Sequence, residues 1–247
     1  MRNQLVHLAL FATIILFASC GKDPDPLALN NNKVKSYTEE VTFPGGESTT
    51  VTLNINYDSN DRISSLVSST SPGDKFEFTY VSNDQYSMDL YTSGEADLHE
   101  DFFLNRSLVD STLQYNDGDS MSEKYYYNAS NQLIKLVEYE LYGGASIFNV
   151  TNFTYDASGK MIKSTDFNGQ EDTYEYYPDL VYAMPAIMPF FDAPQKMNLV
   201  KSHSITSNGE LVNSTTTTYT FDSSDRISTI TETADDGTVG TKTFVYF

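Results

Sequence analysis

The sequence is poor in the residues that most often carry chemistry. Its 247 residues include one cysteine, three histidines and no tryptophan. A single cysteine, Cys20, excludes an internal disulfide and a multi-thiolate metal site. Neither His99 nor His203 lies in a metal-spaced pair such as His-x-x-x-His, and we expect His99 to be a hydrogen-bonded strand histidine. These residues predict no cofactor and no metal.

Positive charge is scarce as well. The chain has 15 Lys and Arg residues against 34 Asp and Glu residues, for a net charge of −19 at pH 7. Such a charge keeps an exported protein soluble and repels polyanions. We therefore expect no binding to nucleic acid or to acidic lipid surfaces.

Recognisable catalytic motifs are missing too. The sequence has no phosphate-binding loop, dinucleotide fingerprint or G-x-S-x-G elbow. Residues 116–120 and 235–237 resemble calcium loops but lack the ligand spacing, so we interpret them as hairpin turns. Paired carboxylates of the glycosidase type stay open, because a sequence does not show which acids meet in space.

What the sequence does contain is a repeat. Residues 153–162, FTYDASGKMI, have two large residues separated by one position, then an Asp, two small residues, Gly, Lys and an apolar pair. Close copies lie at residues 55–63, 125–133 and 219–227, with degraded copies at 78–86 and 191–197. The widest gap between successive copies, between those at 78–86 and 125–133, is about two repeat units long. A worn copy around residues 103–108 fills it. Periods of this size predict units that bury their apolar faces only beside their neighbours.

The repeat is typical of a β-hairpin. Phe153 and Tyr155 are separated by one residue, so their side chains lie on the same face of a strand. The following Asp-Ala-Ser-Gly is a turn sequence in which Gly159 tolerates positive φ, and other copies place Asn or Asp there, the next best residues for that conformation.

These patterns predict an all-β fold. We expect an antiparallel meander of about sixteen short strands, without a helix of normal length, over a single domain at residues 33–247. A one-sided meander without covering helices must curl and close, or split into two sheets. We therefore expect a wide barrel or barrel-like sheet.

The N-terminus predicts export. Residues 1–19 have a basic start, a short apolar core and small residues before Cys20, as in a secretory signal peptide. Residues 17–20, FASC, resemble the bacterial lipobox, in which the cysteine is lipidated. We expect lipidation at Cys20, a flexible tether at residues 20–32, and anchoring in the outer membrane on its periplasmic face or the cell surface. Residues 22–25, KDPD, resemble a surface-export signal and fit a plain tether equally well.

Residues 178–197 stand apart from the strands. Four prolines in this insertion argue against a regular strand or long helix, yet the segment is rich in Met and aromatic residues. We expect it to pack across the array as a plug or lid, with a ligand-contacting loop as the alternative. Tyr182, Phe190 and Phe191 are the candidate binding residues.

The repeat is similar to the YD repeats of Rhs shell proteins. With the lipobox, the length and residues 196–201, KMNLVK, the chain resembles a group of Bacteroidetes lipoproteins of unknown function with a porin-like fold. The resemblance implies a porin-like fold and a location in the cell envelope. It implies no activity, and the chain lacks the toxin domain that the large YD proteins enclose.

Three functions follow as hypotheses. The first is a non-catalytic envelope lipoprotein that binds or scaffolds a glycan, peptide or envelope protein. The second is a glycan-acting hydrolase with paired carboxylates. The third is an integral outer-membrane β-barrel with its apolar face turned outward.

Overall fold

A computed structural model describes residues 33–106, 108–116, 119–141, 144–185, 187 and 196–247. Their structure is sixteen antiparallel strands, each paired with its neighbours along the chain, and β1 pairs with β16 to close a barrel. The predicted all-β meander and its strand number are confirmed, and of the two expected forms, a wide barrel or a barrel-like sheet, the structure has the closed barrel. The strands are β1 (Val34–Thr42), β2 (Ser48–Tyr57), β3 (Ile63–Ser68), β4 (Lys75–Ser82), β5 (Gln85–Thr92), β6 (Glu95–Asn105), β7 (Leu108–Asn116), β8 (Asp119–Tyr127), β9 (Leu133–Glu140), β10 (Ser146–Tyr155), β11 (Met161–Thr165), β12 (Gln170–Ala183), β13 (Lys196–Ser207), β14 (Glu210–Phe221), β15 (Ile227–Ala234) and β16 (Val239–Tyr246).

The barrel has two different ends. The turns after the even-numbered strands, together with the start of β1 and the end of β16, form one end, which we name the repeat rim. The turns after the odd-numbered strands form the other end, the far rim. The predicted worn copy at residues 103–108 is the β6–β7 connection on the repeat rim.

The repeat turns share one geometry. In the turn at residues 58–62, Asp58 Oδ1 accepts hydrogen bonds from the backbone N–H groups of Asn60 and Arg62 at 2.8 and 2.9 Å. Corresponding bonds occur in the turns that begin at Asn128, Asp156 and Asp222. The fourth residue of each turn has positive φ, as predicted: Asp61 (64°), Asn131 (59°), Gly159 (87°) and Asp225 (60°).

Among the described residues, tyrosine hydroxyls tie six of the eight even-numbered strands to the strand before them. Tyr155, the last residue of β10, donates its hydroxyl to the carbonyl of Leu133, the first residue of β9, at 2.8 Å. Because these bonds recur around the rim, they fix the position of each of these strands along the barrel axis relative to the strand before it. The same kind of bond to the preceding strand is made by Tyr57, Tyr80, Tyr127, Tyr176 and Tyr246.

We expect Tyr155→Phe to lower the free energy of unfolding by about 1 kcal/mol, because it removes one partly buried hydrogen bond and leaves the Leu133 carbonyl without its donor. Urea denaturation measures the change. The control is Tyr126→Phe, since the Tyr126 side chain is exposed and its loss is expected to change stability by less than about 0.5 kcal/mol. Equal effects of both variants would contradict the stabilising role of the Tyr155 hydroxyl.

The proline-rich segment begins inside β12. The strand continues through Pro178 to Ala183, but its ladder with β13 breaks between Tyr176 and Val181. The sequence predicts that the prolines disfavour a regular strand here; residues 178–183 do belong to a strand, and its ladder is irregular. The side chains of Tyr177, Leu180, Tyr182, Met184 and Ile187 pack against the barrel core, as a plug at the repeat rim would.

The described chain has no helix that is long and apolar enough to span a membrane.

Candidate functional site

The apolar core lies inside the barrel. One cluster joins buried side chains from strands on many sides of the barrel, among them Leu53 on β2, Phe102 on β6, Leu199 on β13 and Ile227 on β15. Strands so far apart around the wall meet only through its interior. Directly paired residues of an antiparallel ladder share a face, so the register then assigns the inner face of every strand.

The outer face of the wall is polar. Next to the inward Phe76 and Phe78, the outward Lys75 and Glu77 form an ion pair at 2.5 Å. Outward Lys163 and Glu171 form another at 2.8 Å. Around the β14–β15–β16–β1 wall, outward pairs are mostly threonines, such as Thr218 with Thr231, Thr229 with Thr243, and Thr38 with Thr243.

The inner wall of β6 to β10 carries a group of acids. Pairing places Glu100 with Gln114, Thr112 with Glu123, and Glu123 with Glu138, all on the face of Phe102. The Thr112 hydroxyl lies 3.4 Å from Glu123 Oε2 and also bonds Glu100. Because one hydroxyl reaches both, the two carboxyl groups lie within about 7 Å of each other.

Burial changes how these acids titrate. Removal from water, with the nearby charge of Glu123, raises the pKa of Glu100 to about 7. Desolvation also raises the pKa of Glu123, although hydrogen bonds from Tyr125 and Thr112 oppose the shift. Tyr125 donates its hydroxyl to Glu123, and burial beside that acid raises the pKa of Tyr125 far above 10. The group therefore holds a proton near neutral pH.

Open space adjoins this group towards the far rim. Gln114, Asn116, Asp119 and Met121 line a cavity of about 240 Å³, and pairing places all four on the inner face with Glu100 and Glu123. The lining offers amide, carboxylate and thioether groups.

A second polar group lies on the inner wall of β11 to β13. Asp172 accepts a hydrogen bond from Ser164 Oγ at 3.1 Å and lies 3.0 Å from His203 Nε2. The imidazole stacks on Tyr174, with ring centroids 4.8 Å apart. Since the serine bonds the carboxylate and not the imidazole, His203 is not placed to activate Ser164 as a nucleophile.

His99 is a hydrogen-bonded strand histidine, as predicted. On the outer face of β6, its Nδ1 lies 2.7 Å from Asp89 and its Nε2 3.5 Å from Asp101. The hydrogen bond to Asp89 raises the pKa of His99 above its usual 6.5. Within the described residues, no group of three or more His, Cys, Asp or Glu side chains is arranged to hold a metal ion.

Of the residues predicted from sequence as sites, only Tyr182 lies in the described part of the chain. Its ring stacks on Phe221 with centroids 4.3 Å apart, and its hydroxyl donates to Asp225 at 3.2 Å. These contacts hold the insertion against the turn at residues 222–226. Cys20, Phe190 and Phe191 lie outside the described residues, and the binding role of all three aromatics stays a prediction.

The inner acids are absent from the sites predicted from the sequence. The alternation of Leu98, Glu100 and Phe102 along β6 places a carboxyl on the apolar face of the strand. That break in the pattern is the available indication for Glu100. Glu123 breaks the pattern in the same way between Met121 and Tyr125 on β8, but its place beside Glu138 follows only from the register.

The barrel resembles two solved structures. A porin-like protein from Bacteroides uniformis ATCC 8492 has a TM-score of 0.64 and 13% identity, over 88% of this chain and 98% of that one. A porin-like protein from Bacteroides vulgatus ATCC 8482 has a TM-score of 0.54 and 12% identity, over 88% and 99%. No protein-family model and no curated protein matches the chain. At such identity the likeness concerns the fold alone: the chain is a closed, sixteen-stranded barrel with a porin-like fold.

Proposed function

We propose that this protein is a non-catalytic lipoprotein of the outer membrane, whose barrel lies in water and serves as a binding module. The observation that carries the proposal is the polarity of the wall. Membrane barrels carry an apolar band about 25 Å tall outside and a polar interior. Here buried residues such as Leu53, Ile55 and Phe102 are inside, and Asn54, Asn56 and many threonines are outside.

Charges on the outer wall support the same proposal. Lys75, Lys163 and Glu171 lie on outward positions. On a lipid-facing wall, each Lys near the bilayer midplane destabilises a barrel by about 2–4 kcal/mol. An outer face with several such residues is stable in water and unstable in hydrocarbon, which disfavours the integral-barrel hypothesis.

The lipid anchor determines where this barrel is held and which rim faces the membrane. The described chain begins at the repeat rim, where Lys33 forms an ion pair with Asp61 and its carbonyl accepts from the Phe247 N–H group. A tether of residues 20–32 reaches about 40 Å when fully extended. Lipidation of Cys20 would therefore hold the repeat rim towards the bilayer and leave the far rim facing away from it.

The Cys20→Ser variant tests the anchor and the solvation of the barrel together. We expect the wild type to incorporate radiolabelled palmitate and to fractionate with membranes. The variant, exported with an ordinary cleaved secretory signal in place of residues 1–19, is expected to lose the label and remain soluble without detergent, because a polar wall needs no lipid. Palmitate labelling and detergent-free sedimentation measure the two results.

A double variant, Cys20→Ser with Asn54→Cys, is the matched control, because it restores a thiol away from the processing site. It is expected to stay unlabelled and soluble. If Cys20→Ser protein sediments with membranes, resists carbonate extraction and shows heat-modifiable migration, the integral barrel is correct and the proposal is wrong.

The binding role completes the proposal. Aromatic residues of the insertion, Tyr182, Phe190 and Phe191, are its proposed contacts, and glycans, peptides or envelope proteins are the candidate partners. Support comes from the described part of the insertion, where Tyr182 is only partly buried although it is anchored on Phe221.

One observation favours glycan hydrolysis as a second candidate. Glu100 and Glu123 lie within about 7 Å of each other, an upper bound that includes the separation of about 5–5.5 Å in retaining glycosidases. Glu100 also holds a proton near pH 7, as a general acid does. Under this hypothesis, Glu100→Gln abolishes the release of reducing ends from a polysaccharide that the wild type degrades. A wild type that releases none from a polysaccharide panel excludes it.

A further inference from the structure

The far rim exposes large apolar side chains on three consecutive turns. Each of the five residues is more than half exposed, although all lie in or beside well-paired strands. Neighbouring turns are two strands apart, about 10 Å across the ladder. The far-rim patch consists of Ile147 and Phe148 after the β9–β10 turn, Phe167 in the β11–β12 turn, and Leu211 and Val212 after the β13–β14 turn.

Backbone irregularities turn two of these side chains towards solvent. The β9–β10 register shifts between Ile147 and Asn149, which leaves Phe148 without a directly opposed partner. The β13–β14 register shifts in the same way and leaves Val212 unopposed. Bulges re-aim side chains and are over-represented at the rims of barrels and next to active sites. An apolar residue in each outward bulge therefore indicates a surface that is built for contact.

The charge around the patch has one sign. The four far-rim turns from β9–β10 to β15–β16 were compared, each with one strand residue on either side. Their described residues include no Lys and no Arg. Five acids lie there, and none forms an ion pair with a described residue: Glu140, Asp166, Glu210, Asp235 and Asp236.

The repeat rim shows that this is a property of one end and not of the whole barrel. There, Asp58 pairs with Arg62 at 2.6 Å, Asp222 with Arg226 at 2.7 Å, and Asp61 with Lys33. Lys or Arg side chains thus neutralise three acids of the repeat rim, whereas none of the five acids beside the far-rim patch has such a partner among the described residues.

We infer that the far-rim patch binds a basic amphipathic polypeptide, whose apolar side chains cover Phe148, Phe167 and Leu211 while its Lys or Arg residues meet the surrounding acids. Exposed apolar patches rimmed by polar groups mark interaction sites, and complementary charge steers and orients such partners. An uncharged glycan offers neither the apolar face nor the cations. This inference rests on the proposed binding role and names the class of partner.

An 18-residue amphipathic peptide of leucine and lysine with one tryptophan is the probe. The protein contains no tryptophan, so tryptophan fluorescence reports the peptide alone. With the mature Cys20→Ser protein, residues 20–247, in detergent-free buffer, we expect saturable binding at 50 mM salt. Phe167→Ser with Leu211→Ser is expected to weaken it at least tenfold, and Asp235→Asn with Asp236→Asn several-fold, with a smaller dependence on salt.

Val81→Ser is the matched control, since Val81 is exposed to the same degree on the repeat rim, and it is expected to leave the affinity unchanged. Val212→Ser alone gives a second measurement if the double variant unfolds. The inference is overturned if the patch variants bind as the wild type does, if a lysine–serine peptide of equal charge binds as tightly, or if the patch instead mediates dimers or binding to phosphatidylcholine vesicles. None of these results affects the solubility and palmitate tests of the anchor.

Discussion

Replacing Glu100 by glutamine is expected to make the protein more stable at pH 8 and to leave its stability at pH 5 unchanged. The pKa of Glu100 is about 7 in the folded chain, against 4.5 for an ordinary glutamate. Between these values the folded state holds a proton that the unfolded state releases, so stability falls as pH rises through 7. A complete conversion of the shift gives about 3.4 kcal/mol. Since the side chain is partly exposed, we expect about 2 kcal/mol.

Urea denaturation at pH 5, 6, 7 and 8 measures this effect. Other groups contribute to the wild-type slope, because the pKa values of His99 and Glu123 are also raised, and only the difference between wild type and variant isolates Glu100. The control is Glu77→Gln, which removes an acid from the outer face of β4 and is expected to leave the pH dependence intact. A Glu100→Gln protein as unstable at pH 8 as the wild type would show that this carboxyl is not buried beside Glu123.

Phe102→Ala is expected to lower the free energy of unfolding by about 3–5 kcal/mol, because it removes a large buried ring that the surrounding side chains cannot replace. Phe102 is 3% exposed and stacks on Tyr86, with ring centroids 4.6 Å apart and planes at 9°. Its truncation leaves a cavity in the cluster that joins both sides of the barrel. Urea or thermal denaturation, followed by the near-ultraviolet signal of the tyrosines, measures the loss.

The next residue along β6 provides the control. Phe103 has the same side chain but pairs with Ser111 on the outer face, so Phe103→Ala is expected to cost about 1 kcal/mol or less. A larger loss at Phe103 than at Phe102 would reverse the assignment of inner and outer faces.

The fold could be predicted because its determinants are local. A turn that needs one Asp or Asn side chain and one residue at positive φ shows itself within five residues, as at Asp156 and Gly159. Large residues one apart on the strand before that turn predict which face is buried. Repetition then multiplies a weak pattern into a strong one, and closure follows because a one-sided sheet without helices must cover its apolar face.

The sites were less predictable because they depend on register. Glu123 and Glu138 are 15 positions apart in the chain, and only the β8–β9 pairing places them side by side. The bulges at Phe148 and Val212 reverse the face that simple alternation assigns, and no residue type requires a bulge there. Composition showed that the insertion at 178–197 is apolar, but not that Tyr182 would stack on Phe221.

Cysteine accessibility along β2 tests the inverted polarity of the barrel most directly. In a Cys20→Ser background the chain has no other thiol, so single cysteines at positions 53, 54, 55 and 56 report one position each. We expect a water-soluble maleimide to label Asn54→Cys and Asn56→Cys rapidly and Leu53→Cys and Ile55→Cys slowly, in buffer without detergent. Rapid labelling at 53 and 55 with protection at 54 and 56 would mean a polar lumen and an apolar outer wall, and would contradict a water-solvated barrel.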